Sequence, residues 1–113
     1  MLKSIAQVLS NMGENETAAA VYEHVIAVEP GVAPNYLHAG VVWRAAHDDQ
    51  KAVNYLEKAL QLDPLLEECY EELIGIYSTA QNPEKLRQII ERYLTAFPKS
   101  LEAQAEFRNL SLH

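Results

Sequence analysis

Residues 35–64 read NYLHAGVVWRAAHDDQKAVNYLEKALQLDP, and this stretch decides the fold. It holds two apolar-periodic runs, Tyr36 to Ala46 and Ala52 to Leu62, separated by the polar turn His47-Asp48-Asp49 and closed by Pro64. Apolar residues at helical spacing with a capping carboxylate between them spell a helix, a tight turn and a second helix. The same layout stands once before this stretch and once after it, at the even spacing marked by Pro30, Pro64 and Pro98. Other columns keep that spacing: Tyr36 with Leu2 and Tyr70, Ala39 with Ile5 and Leu73, Gly40 with Ala6 and Ile74, Trp43 with Leu9 and Tyr77. In the second helix of each unit, Ala52 pairs with Ala18 and Leu86, Leu56 with Tyr22 and Ile90, and Ala59 with Val25 and Tyr93. A fixed period of helix–turn–helix units is the mark of a helical solenoid, because one pair cannot bury its apolar sides without a neighbour.

Taken in order, the pattern predicts a leading helix over residues 2–11, with Gly13 free to adopt positive φ behind it. Asn15 is the expected N-cap of the next helix, which ends near Val28 ahead of Pro30. Pro34 opens a helix running to about Ala46, and Asp48 or Asp49 caps the one from Gln50 to Leu62. Asp63-Pro64 reads as a cap followed by a first helical residue, giving a helix over 64–79. Asn82-Pro83 repeats the device for 83–96. The tail has helical character through Leu101, Ala105, Phe107 and Leu110, while Gln104, Arg108 and Ser111 occupy columns that were apolar before. A terminal solenoid element needs a more polar outer face, so this is expected to be a capping helix.

These columns resemble the tetratricopeptide repeat, with an aromatic, a Leu–Gly pair and a Tyr in its first helix, then Ala, a bulky residue, Ala and a closing Pro. The unit with Tyr36, Ala39, Gly40, Trp43, Ala52, Leu56, Ala59 and Pro64 is most similar; the next keeps Tyr70, Leu73, Tyr77 and Pro98, with Leu86 and Tyr93 replacing alanines. The resemblance implies an all-α single domain over 1–113, a right-handed α–α superhelix of three helix pairs (about 1–32, 33–66 and 67–98) with a C-terminal capping helix over about 99–112. It also implies a concave groove lined by first helices. The positions mapping there are Lys3, Ser4, Gln7 and Asn11, then Leu37, His38, Val41, Arg44 and Ala45, then Glu68, Glu71, Glu72, Gly75 and Thr79. One subclass clamps a C-terminal carboxylate with cations and an asparagine. Here Lys3 fits and Gln7 roughly fits, but His38 replaces the asparagine and Glu68 and Glu72 stand where cations belong, which repels a carboxylate. Residues 52–97 also resemble the bacterial transcriptional activator domain, itself tetratricopeptide-like, through Asp63, Pro64, Leu65, Glu67, Glu68, Tyr70 and Leu73. That resemblance implies, as an alternative, a regulatory or oligomerisation module of a bacterial transcription regulator whose DNA-binding domain is not among these residues.

Composition sets the bounds. With 113 residues and 49% apolar content, one domain with a core is expected. Sixteen acidic against nine basic residues give −7, which disfavours direct nucleic-acid binding. One cysteine, Cys69, makes no internal disulfide, and no apolar run reaches the roughly 18 residues of a membrane span. A cytoplasmic, non-enzymatic protein without cofactor or metal is the expectation. His24, His38, His47 and His113 lack metal-ligand spacing; His47-Asp48-Asp49 reads as a polar turn. Trp43 reads as core. Two binding surfaces remain open. One is the groove positions Gln7, Asn11, Leu37, His38, Val41, Arg44, Glu68, Glu71 and Glu72, for a protein or peptide partner with a basic segment. The other is the edge of Leu2, Ile5 and Leu9, for a partner or a second copy in a homodimer. Glu68 to Glu72 is also a solvated helix start that the helix dipole favours.

Overall fold

The computed structural model describes Ile5, Leu9 and residues 11–111. Leu2, Lys3, Ser4 and Gln7, which carry part of the groove and edge expectations, lie outside the described residues. Six helices follow one another: α1 (Asn15–Val28), α2 (Ala33–Ala45), α3 (Asp49–Leu62), α4 (Glu67–Thr79), α5 (Pro83–Ala96) and α6 (Leu101–Ser111). Ile5, Leu9 and Asn11 are also helical. No strand occurs among the described residues, and the architecture is a set of helical hairpins with a terminal helix. The chain divides into two compact units, Met1–Asp63 and Pro64–His113.

The turn within each hairpin is the same device three times. Gly13, His47 and Gln81 share one column of the repeat and have φ of 83°, 65° and 55°. The next residue, Glu14, Asp48 or Asn82, donates its N–H to the carbonyl of Leu9, Trp43 or Tyr77 at 2.8, 2.9 and 3.1 Å. At two of the turns the left-handed residue itself donates to a carbonyl three back, His47 to Arg44 and Gln81 to Ser78. This is the Schellman closure, which satisfies the orphan carbonyls of a helix end. Asp48 and Asn82 then serve as N-caps, accepting the N–H of Lys51 at 3.1 Å and of Lys85 at 3.2 Å. At the first turn Glu14 is the N-cap and makes no side-chain cap bond. The expected cap Asn15 is instead the first helical residue, because the period fixes the cap one position earlier, at the column of Asp48 and Asn82.

A second device joins successive hairpins. The residue before each closing proline is pushed out of the α region, with φ of −127° at Glu29, −147° at Asp63 and −131° at Phe97. The proline carbonyl is then captured six residues on: the Tyr36 hydroxyl donates to Pro30 O and the Tyr70 hydroxyl to Pro64 O, both at 2.7 Å. Gln104 Nε2 donates to Pro98 O at 2.9 Å. Gln104 therefore performs the tyrosine's bond in the third copy, and α6 starts as another first helix, with Ser100 Oγ accepting the N–H of Ala103. The same arrangement corrects the start of α4. Asp63 closes α3 and Leu66 is the N-cap, so α4 begins at Glu67 rather than Pro64. Pro64 belongs to the linking turn, its carbonyl occupied by Tyr70.

In the first unit, Ala18, Ala19, Tyr22, Ala39 and Val42 form a buried cluster, with Leu9, Val21, Ile26, Trp43 and Tyr55 packed around it. Small residues set the helix spacing. A Cβ on Gly40 of α2 would lie 2.7 Å from Leu56 Cγ of α3, so the glycine marks the closest approach of that pair. The second unit is filled by larger groups. Leu73, Ile89, Ile90 and Tyr93 are buried, and Tyr93 stacks on Tyr70 with centroids 5.3 Å apart and an interplanar angle of 8°. Phe97 meets both rings edge-on. In α6 the buried anchor is Ala103, whereas Leu101 is 75% and Phe107 40% exposed, so neither of those two is the inward residue expected of a cap.

Candidate functional site

The solvent face of α2 is a stripe at helical spacing: Pro34, His38 and Ala45 are exposed, Val41 half-buried between them and Arg44 half-buried beside it. His38 is held by Tyr22 of α1, whose ring stacks against the imidazole at 5.8 Å and 28°. Burial pushes the Tyr22 hydroxyl above its ordinary pKa, so it stays neutral there. Leu37, expected on the binding face, is 5% exposed and belongs to the core. It follows Tyr36, and both side chains enter the interior, which leaves His38 as the first outward position of that turn. Asn11 is exposed at the end of the leading helix. Of the edge residues, Ile5 is 45% exposed, while Leu9 is half-buried against the core cluster and supplies the carbonyl of the first Schellman turn.

The face of α4 has a different chemistry. Glu68 and Glu71 are exposed, with Glu72 half-buried. Glu67 turns the other way, its Oε2 accepting the Tyr93 hydroxyl at 2.6 Å. Burial and this carboxylate together drive the Tyr93 hydroxyl up to about 12. The Glu71 carboxyl is also held above its usual range, first by desolvation and then by Glu67, Glu68, Glu102 and Glu72. Glu102 comes from α6 and is not among the sequence candidates. The period contains the signal for it, since Pro34, Glu68 and Glu102 share one column. A cleft of about 450 Å³ opens beside this cluster, lined by Glu67, Ala96, Phe97, Pro98, Lys99, Ser100 and Glu102. Its lining combines the apolar Ala96, Phe97 and Pro98 with two carboxylates, Glu67 and Glu102, and one ammonium, Lys99.

Other residues singled out by their chemistry have local tasks. His47 supplies the left-handed turn and Asp48 the cap of α3. Cys69 is fully buried in α4. Trp43 is half-buried against the core, with Lys51 Nζ 4.2 Å from the ring centroid, a cation–π contact that shields its outer face. Among the described residues no helix is long and apolar enough to cross a membrane, and no group of three or more His, Cys, Asp or Glu is placed to hold a metal ion.

Residues 4–31 and 44–64 match the sequence model of the tetratricopeptide repeat. No protein of curated function matches the chain in sequence. Among solved structures, the first tetratricopeptide domain of Spaghetti (RPAP3) bound to the HSP90 peptide SRMEEVD superposes with a TM-score of 0.79. It is 19% identical, over 98% of this chain and 90% of that one. The second such domain of human RPAP3, in complex with the HSP70 peptide SGPTIEEVD, gives 0.80 at 16% identity, over 97% and 92%. The Yersinia enterocolitica type III secretion chaperone SycD, in complex with a peptide of the translocator YopD, gives 0.84 at 12% identity, over 98% and 90%. Two segments of the chain thus carry the tetratricopeptide-repeat sequence pattern, and nearly its whole length has the fold of tetratricopeptide-repeat domains.

Proposed function

We propose that the chain is a non-enzymatic scaffold that binds an extended or helical segment of another protein on the outward face of a first helix. Glu68, Glu71 and Glu72 of α4, joined by Glu102, are the contact in the second unit; in the first unit, His38, Val41 and Arg44 of α2 are a separate candidate face. The observation that carries the reading is the concentration of carboxylates around Glu71, whose own carboxyl is held above its usual range by desolvation first and then by Glu67, Glu68, Glu102 and Glu72. Such a face attracts Lys or Arg and rejects an acidic tail. Three proteins of the same fold are seen with peptides bound, which supports peptide recognition as the mode. The acidic peptides of the RPAP3 domains are not the kind this α4 face would take; a basic segment is. A cytoplasmic setting belongs to the same proposal, since Cys69 is buried and calls for no oxidising compartment.

The test is fluorescence anisotropy against paired peptides that differ only in replacing Lys and Arg by Glu. Tighter capture of the basic member, weakened by about tenfold or more when Glu68→Lys and Glu72→Lys are combined, supports the reading. Equal affinity for both peptides, or unchanged capture by the double variant, rejects the acidic face as the contact.

A further inference from the structure

The other side of α6 carries an observation that peptide recognition does not use. Phe107 and Leu110 stand one repeat after Leu73 and Ile76, and two repeats after Ala39 and Val42. Those four are buried, at 0 to 4% exposure, inside complete helix pairs. Phe107 is 40% exposed and Leu110 only half-buried. In register, this is the face that the second helix of a pair covers, so a helix is the shape that fits it. It is not bare apolar surface. Phe107 and Leu110 share a cleft of about 250 Å³ with Arg87 and Glu91, one turn apart on α5. Among the described residues no ion pair joins Arg87 to Glu91 or either to a third group. Arginine placed N-terminal to glutamate at this spacing is the weaker orientation for pairing within a helix.

We infer that the α5–α6 face is a self-association surface, occupied by the same face of a second copy about a two-fold axis through this cleft. An isologous contact requires a patch that complements itself. This patch does: antiparallel apposition sets Arg87 against Glu91 of the second copy and Glu91 against its Arg87. The same axis sets Phe107 against Leu110 of the second copy and Leu110 against its Phe107. One positive and one negative group beside two apolar groups, all around a single cleft, meet the condition with no residue left over. A partner of single-signed charge would leave either Arg87 or Glu91 facing its own kind.

The contact is small and the chain carries −7, so the dimer is weak and concentration-dependent. Sedimentation equilibrium from micromolar to near-millimolar protein should show monomer and dimer in exchange. Phe107→Asp should abolish the dimer, with helicity by circular dichroism unchanged. Arg87→Glu and Glu91→Arg should each weaken it by about tenfold or more, through two new like-charge contacts per dimer. The charge pattern adds an outcome that misfolding could not mimic. Mixing the two single variants should restore association, since one face is then wholly acidic and the other wholly basic, and the double exchange within one chain should behave as the native protein. A native chain that stays monomeric throughout, or a dimer indifferent to these substitutions, overturns the inference.

Discussion

Gly40→Ala is the substitution for which the packing makes the sharpest prediction. On helix propensity alone it should stabilise, because glycine inside a helix is less favourable than alanine by about 0.8–1.0 kcal/mol. The contact opposes this. The new Cβ would stand 2.7 Å from Leu56 Cγ, 2.9 Å from Leu56 Cδ2 and 3.2 Å from the Ala52 carbonyl oxygen. Carbon atoms pack without strain at roughly 3.5–4.0 Å, so Leu56 must retreat by close to an ångström. It is the Cγ branch point that collides, not a free end, and Leu56 has no exposed surface through which to move. Over-packing of this kind costs about 1–3 kcal/mol. The net effect is therefore a loss of roughly 0–2 kcal/mol, against a gain of about 1 if the contact were slack. Urea titration followed by Trp43 fluorescence reads it directly, since the single tryptophan sits in the same unit. Leu56→Ala should itself cost about 2–5 kcal/mol. In that background Gly40→Ala should change sign and stabilise by up to about 1 kcal/mol, limited only by Ala52 O. A stabilising Gly40→Ala in the native background, or one whose effect is the same with and without Leu56, would refute the close approach of α2 and α3.

Further outcomes can be checked by the same titrations. His47→Gly and Gln81→Gly should each raise stability by about 0.5–1 kcal/mol, since both hold positive φ that an L side chain resists. Gly13→Ala should lower it by about 1–2 kcal/mol, although nothing lies within 4 Å of its Cβ position, because there the backbone alone resists. Asn35 is fully buried with neither amide atom hydrogen-bonded, while its period-mates Cys69 and Ala103 are equally buried and smaller; Asn35→Ala should stabilise by about 1 kcal/mol, and a loss instead would mean the amide is satisfied in solution. Glu71 has a raised carboxyl pKa, so the folded state holds that proton more tightly than the unfolded chain. Its contribution is present below the unfolded pKa and is lost as pH rises through the folded one; Glu71→Gln should flatten stability against pH across that window, and a slope that persists would assign it elsewhere.

The repeat is legible because its signals are local and recur. Prolines at 30, 64 and 98, the capping side chains Asp48 and Asn82, and Gly13 behind the leading helix each report backbone geometry on their own. Misreadings arise where one local signal serves two tasks. Asp63-Pro64 and Asn82-Pro83 look alike, yet only the second begins a helix, because Tyr70 reaches back to occupy Pro64 and no tyrosine reaches Pro83. Gln104 looks like a departure from an aromatic column, but its amide makes the bond that the tyrosine hydroxyls make. Leu37 and Glu71 share a column, one buried and one exposed, so column membership does not report accessibility.

That last pair shows why architecture can be read here while the partner must be proposed. The devices that hold the repeat are backbone closures and carbonyl hooks, and they keep the same spacing although the packing around them changes completely. Gly40 answers to Ile74, and Ala59 to Tyr93, so the first unit is built on close helix contact and the second on stacked rings. The outward stripe of Pro34, His38, Val41 and Ala45 takes no part in either device, nor do its counterparts Glu68, Glu72, Gly75 and Thr79. Their chemistry can therefore vary from unit to unit without disturbing the closures and hooks that set the repeat. One stripe is neutral and the other rich in carboxylates; on the proposed reading, exchanging the two stripes should move the preference for basic peptides to the other helix while leaving unfolding midpoints within a fraction of their native values.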